Sequence, residues 1–170
     1  MQNVPKLLRS AGLPKIVEST TLPRMGQHAL REVIESKGHL SEDGPVSFLL
    51  NGVDALRLSR VSAVFCKELL LSGTNAVYVS SAYLHQICSY YARHGECEDL
   101  SGLNDKYLVV PDLFDNNWYP DEHGRRLVYV YLRSHYYRGA GLTICTFCGP
   151  HFGDIAFDDF VEGFKTLEVL

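Results

Sequence analysis

The sequence predicts an α/β domain, a three-layer α/β/α sandwich on a mostly parallel five-stranded sheet. Three observations lead there. Strand-like and helix-like stretches alternate from residue 46 onward, several strand-like stretches are apolar at every position, and glycines close the helix-like ones. A sheet covered on both faces has no solvated side, so its strands read as continuous apolar runs. Right-handed crossovers then place helices on both sides.

The elements follow in order. Residues 1–45 form a helical lead-in: Pro14 and Pro23 mark turns, and Gln27 to Ser36 reads as a helix because Leu30, Val33 and Ile34 recur at helical spacing. The cluster Ser41-Glu42-Asp43-Gly44-Pro45 ends it. The core, 46–170, opens with a strand over Val46–Leu50. A helix follows over Leu58–Leu71, with Leu58, Val61, Phe65 and Leu69 on one face and Gly73 as its stop. Ala76–Val79 is the second strand. Ser80 or Ser81 caps a helix that runs to His94 and ends at Gly95. Tyr107–Val110 is a strand, Glu122–Arg138 a helix closed by Gly139, and Leu142–Thr146 a strand. A short helix over Phe157–Phe164 and a strand over Thr166–Val169 complete the series. The whole of 1–170 reads as one domain.

Bulk composition bounds the function. At 170 residues, 46% hydrophobic and 21% charged, the chain buries a single core and is not disordered. A net charge of -4 excludes a generally basic, nucleic-acid-coating surface. The first residues carry no apolar signal segment and no run is long enough to span a membrane, so the expected compartment is the cytoplasm. An odd count of five cysteines there points to free thiols.

In such a sheet, ligands bind beyond the carboxyl ends of the strands, which directs attention to the first strand-to-helix turn. It reads Asn51-Gly52-Val53-Asp54-Ala55-Leu56-Arg57-Leu58-Ser59-Arg60. A phosphate-binding loop has Gly-x4-Gly-Lys-Ser/Thr, with glycines that let backbone wrap the phosphates, a lysine that neutralises them and a hydroxyl for Mg²⁺. Gly52 fits the first glycine and Ser59 the hydroxyl. Arg57 replaces the second glycine and Leu58 the lysine. An ordinary turn gives the same pattern, and only the rest of the chain separates the two.

Nearly the full length resembles the DnaC/IstB-type helicase loaders, a branch of the AAA+ P-loop ATPases. LLRSAGLPKIVESTTL is similar to the segment before their ATPase core, and residues 46–84 to their Walker A strand, loop, helix and second strand. KYLVVPDLFD is similar to their Walker B strand, and RRLVYVYLRSHYYRGAGLTICTF to the next helix and sensor-1 strand. The resemblance implies a P-loop core, and the departures imply that it is degenerate. Pro111 stands where the metal-organising carboxylate belongs, while Asp112 keeps the second acidic place. Thr146 stands on the sensor-1 strand, ahead of Phe147 and Cys148 where a polar pair is usual. Gly139 to Phe164 holds no Lys or Arg, and the chain ends at Leu170, so arginine finger and lid are expected to be absent. With clamp, metal site and finger gone together, no ATP turnover is expected, and no cofactor or metal.

The expected role is therefore a non-catalytic binding module in DNA replication or mobile-element biology. Its expected partner is an AAA+ loader, a replicative helicase or a second copy, with no membrane. Two alternatives stand beside it: an ATPase with a non-standard nucleotide site, and a single-stranded nucleic-acid-binding domain. For the latter, Arg57 and Arg60 open one helix, while Arg126 and Arg133 share a face of another; each could contact anions or stay solvated. Cys145-Thr-Phe-Cys148 with His151 is read as core packing rather than a zinc site, because structural zinc wants four ligands in two knuckles.

Overall fold

The computed structural model describes residues 4–15, 46–111, 113, 122–147 and 160–169. The helix expected over 27–36, the turn at 41–45 and Asp112 lie outside these residues. A short helix, α1 (Val4–Ser10), precedes the sheet. Strand β1 (Phe48–Gly52) leads to α2 (Ala55–Leu71), β2 (Ala76–Tyr78) to α3 (Ser81–His94), and a four-residue α4 (Glu98–Ser101) comes before β3 (Tyr107–Val110). Helix α5 (Glu122–Tyr137), β4 (Leu142–Phe147) and β5 (Lys165–Val169) complete the described elements.

The five strands form one sheet in the order β2-β3-β4-β1-β5, parallel at every pairing. The interior strands are β3, β4 and β1, the three that read as apolar runs. Their side chains alternate between two cores, as the pleat requires. Phe48, Leu50, Tyr107, Val109 and Cys145 pack with α1 and α2 on one face. Leu49, Leu108, Val110 and Ile144 pack with α3, α5 and Phe160 on the other. The polar groups of Tyr107 and Thr143 on the first face satisfy each other: the Tyr107 hydroxyl lies 2.8 Å from Thr143 Oγ1 and donates to the Val46 carbonyl at 3.1 Å.

The helix termini follow from local chemistry. Ser80 Oγ accepts from the Tyr83 N–H at 3.3 Å, and Gly95 closes α3 in a left-handed conformation (φ 77°) that costs a glycine little. At the free edge of β2, the Tyr78 N–H donates to the Ala11 carbonyl at 2.9 Å, so the turn after α1 covers that edge. Gly12 permits the approach: a Cβ there would lie 2.5 Å from the Tyr78 carbonyl oxygen.

Several boundaries differ from expectation, most by one residue. Strand β1 begins at Phe48 and continues through Asn51 and Gly52, because β4 and β5 pair with both residues from either side. An Asn-Gly pair that reads as a turn in isolation is held extended by two neighbours. Helix α2 begins at Ala55 instead of Leu58, since Asp54 caps it early. Helix α4 was not anticipated; at four residues it is too short to show a period. Of the helix expected over 157–164, Phe160 and Val161 are helical and 157–159 lie outside the described residues.

Candidate functional site

Strand order places the site. From β1 the chain crosses to the β2 edge, whereas from β4 it crosses to β5 on the other side. The crevice at the carboxyl ends of β1 and β4 is therefore the topological switch point, where an α/β sheet receives ligands.

The turn there is short and already satisfied. Two residues, Val53 and Asp54, join Gly52 to the first residue of α2. Asp54 is extended (φ -119°, ψ 105°), and its carboxylate accepts from the Arg57 N–H at 3.0 Å. Its carbonyl accepts from the Leu58 N–H at 2.9 Å. Positions 55–57, which a phosphate loop would hold open, are the first turn of a helix. The amide that would face an anion faces an aspartate, and this carboxylate adds negative charge where a phosphate would need to sit.

The motif positions have structural occupations. Leu58, 2% exposed, belongs to the core with Phe48, Leu50 and Val61. A Cβ on Gly52 would lie 2.9 Å from the Val169 carbonyl oxygen and 3.0 Å from Leu58 Cγ, so this glycine admits β5 and the leucine. The Ser59 hydroxyl lies 3.2 Å from the Tyr78 hydroxyl, which also donates to the Ser59 carbonyl at 3.3 Å. Pro111 is buried directly after β3. Thr146 lies on β4 in register with Asn51.

Sequence reasoning missed Asn51. It is buried, and its Nδ2 donates to Glu168 Oε1 on β5 at 3.2 Å. An amide inside an otherwise apolar strand was the available signal, obscured by reading Asn-Gly as a turn. Around the cap the surface is apolar and basic. Val53 is 78% and Leu56 61% exposed, and Arg57 and Arg60 are exposed beside them.

The two arginine pairs do not form one surface. Arg57 and Arg60 belong to α2 on one face of the sheet, while Arg126 and Arg133 belong to α5 on the other, both exposed. Arg138, on the turn after α5, is used internally: it donates to Asn104 Oδ1 at 2.9 Å and to Ser134 Oγ at 3.3 Å. Cys145 is buried in the core, whereas Cys148 and His151 lie outside the described residues. Burial pushes the Cys66 thiol up to about 12, and burial with the neighbouring Cys97 does the same for Cys88, so neither supplies a thiolate at neutral pH. Among the described residues no group of three His, Cys, Asp or Glu is placed to hold a metal ion. No helix among them is long and apolar enough to cross a membrane.

No protein-family model matches the sequence, and no curated protein matches it. Solved structures do. AMPPCP-bound DnaA from Aquifex aeolicus superposes with a TM-score of 0.65 at 13% identity, over 91% of this chain and 49% of that one. A DNA replication initiation factor gives 0.64 at 13% identity, over 90% and 48%. Replication initiator DnaA bound to AMPPCP and single-stranded DNA gives 0.60 at 14% identity, over 90% and 49%. The chain shares the parallel α/β fold of the AAA+ domains of these DnaA structures. At these identities the likeness concerns the AAA+ fold, and the chain spans about half the length of the initiators it matches.

Proposed function

We propose that the chain is a non-catalytic AAA+-fold binding module acting in DNA replication or mobile-element biology, and that it docks a genuine AAA+ ATPase of the helicase-loader kind through the β1–α2 turn. The observation that carries this reading is the closed N-terminus of α2. Asp54 occupies the amide a phosphate would need, and the residue at the lysine position is buried in the core. Both are tied into the fold: turning Asp54 away from the amide costs the cap, and exposing Leu58 opens the core.

What remains at that place is an exposed pair of apolar side chains flanked by two arginines. Exposed apolar side chains rimmed by polar ones mark contact surfaces, and arginine is enriched in them. The resemblance of blocks 46–84, 106–115 and 125–147 to helicase loaders supplies the partner class, and the replication initiators of similar fold support the setting.

Calorimetric titration with ATP-Mg²⁺ tests the first half; a micromolar complex overturns it. Affinity capture from the native host tests the second. The chain is expected to recover an AAA+ ATPase, and Val53→Asp with Leu56→Asp to lose it. Equal capture by that variant would return the turn to a plain connection.

A further inference from the structure

The α3–α4 side of the molecule carries a groove of about 750 Å³. Tyr83, Gln86, Ile87 and Tyr90 of α3 form one wall, and Glu96, Glu98 and Asp99 line the other. Its charge is one-sided, with three carboxylates and no basic group in the lining. Tyr83 and Tyr90 are 40% and 52% exposed. They stand two turns apart on one helix face, about 10 Å along its axis. The Tyr83 phenol is raised above its ordinary value by burial and then by the hydrogen bond to Asp99, which ties the two walls together. Aromatic faces backed by carboxylates select cations carried on apolar stems.

The outer face of α5 carries that chemistry. Arg126, Val130, Arg133 and Tyr137 recur at i, i+4, i+7 and i+11, and all four are exposed. Arg133 lies 5.5 Å from the Tyr137 ring centroid, which holds its guanidinium along the stripe. Arg126 and Arg133 are two turns apart, the same spacing of about 10 Å that separates the groove tyrosines.

We propose that the α5 stripe of one copy docks in the α3–α4 groove of a second copy. The matched spacing sets the register. The two guanidiniums meet Tyr83 and Tyr90 with the carboxylates behind them, and Val130 falls on the Gln86–Ile87 floor. Within one copy the surfaces do not meet, since the stripe residues are exposed. Helices α3 and α5 pack side by side on one face of the sheet, so two copies can satisfy both contacts reciprocally in a two-fold dimer, whereas a one-sided contact leaves a groove and a stripe free and extends the assembly. The contact does not depend on the β1–α2 turn, which opens the helix on the opposite face of the sheet.

Sedimentation velocity across a concentration series tests the contact. The wild-type chain is expected to associate at low ionic strength and to dissociate as salt rises. Glu98→Lys with Asp99→Lys, and separately Arg126→Ala with Arg133→Ala, are each expected to weaken association at least about tenfold, a change of about 1.4 kcal/mol. An equimolar mixture of the two variants keeps one intact groove and one intact stripe. It should form a heterodimer and stop there, a result that also requires both variants to be folded. A wild-type chain that stays monomeric at low salt, a variant that associates unchanged, or a mixture that stays monomeric each overturns the proposal. So does a monomeric wild-type chain whose Arg126 and Arg133 are needed only for binding a single-stranded oligonucleotide.

Discussion

The β1–α2 and β2–α3 turns are built alike and finished differently. Each joins a strand to a helix through two residues, and each helix is capped by a side-chain oxygen: Asp54 to the Arg57 N–H at 3.0 Å, Ser80 to the Tyr83 N–H at 3.3 Å. Four residues after each cap comes a leucine in the core, Leu58 and Leu84. The difference lies before the cap. Val79 is buried in the same core as Leu84, the staple that fixes a helix entry, whereas Val53 is 78% exposed. The turn at the sheet's switch point is thus built and capped as the β2–α3 turn is. It differs from that turn in keeping apolar surface outside.

The largest effects should come from the two leucines. Leu58→Ala and Leu84→Ala are each expected to cost about 3 kcal/mol in urea unfolding, within the range for buried leucines. Rebuilding the phosphate motif with Arg57→Gly and Leu58→Lys should therefore destabilise the fold and yield no measurable ATP hydrolysis. A stable, hydrolysing variant would show that Leu58 is not equivalent to Leu84.

Acid provides a second effect, near the amino ends of β3 and β4. His135 of α5 is fully buried, and among the described residues neither ring nitrogen has a hydrogen-bond partner. Burial first, then the Arg138 charge, lowers its pKa to about 4; the backbone at Lys106 and Gly141 and the Asp105 carboxylate oppose this without satisfying the ring. The native state thus refuses a proton that the unfolded chain accepts near its ordinary value of about 6.5. Stability is whole above that value and falls as pH drops toward 4, by about 3 kcal/mol in all. Denaturation midpoints across this range should show the loss, and His135→Leu should flatten it.

The caps come next. Asp54→Ala and Ser80→Ala are each expected to cost about 1 kcal/mol, measured by thermal unfolding. Asp54→Ser should be close to neutral and, by removing a negative charge, should make the α2 terminus less hostile to anions. If it created a phosphate site detectable by calorimetry, Asp54 rather than the buried leucine would be what closes the turn.

How much of this was legible follows from where the forces act. The three interior strands and the capped helix α3 were readable because burial on both faces and a Ser-to-Gly frame act locally. The end of β1 was not, because Asn51 and Gly52 are kept extended by β4 and β5, which come over 90 residues later in the chain. The motif positions were readable as departures from a pattern. Their occupations were not: that Leu58 fills the core and Ser59 turns to Tyr78 depends on β2 and β5. The division of the arginines between two faces was likewise invisible without the crossovers.

The smallest effect on stability should carry the most about function. Val53 and Leu56 are mostly in water, so Val53→Asp with Leu56→Asp removes little buried area, and acidic residues beside a helix N-terminus are favourable. Thermal unfolding should shift by no more than about 0.5 kcal/mol. Val79→Asp, the counterpart in the β2–α3 turn, buries a carboxylate without a partner and should unfold the domain. Equal damage from the two changes would mean that Val53 is packed in solution as Val79 is, and the comparison would fail. A stable Val53→Asp, Leu56→Asp chain that no longer captures an AAA+ partner would leave its apolar surface with one explanation.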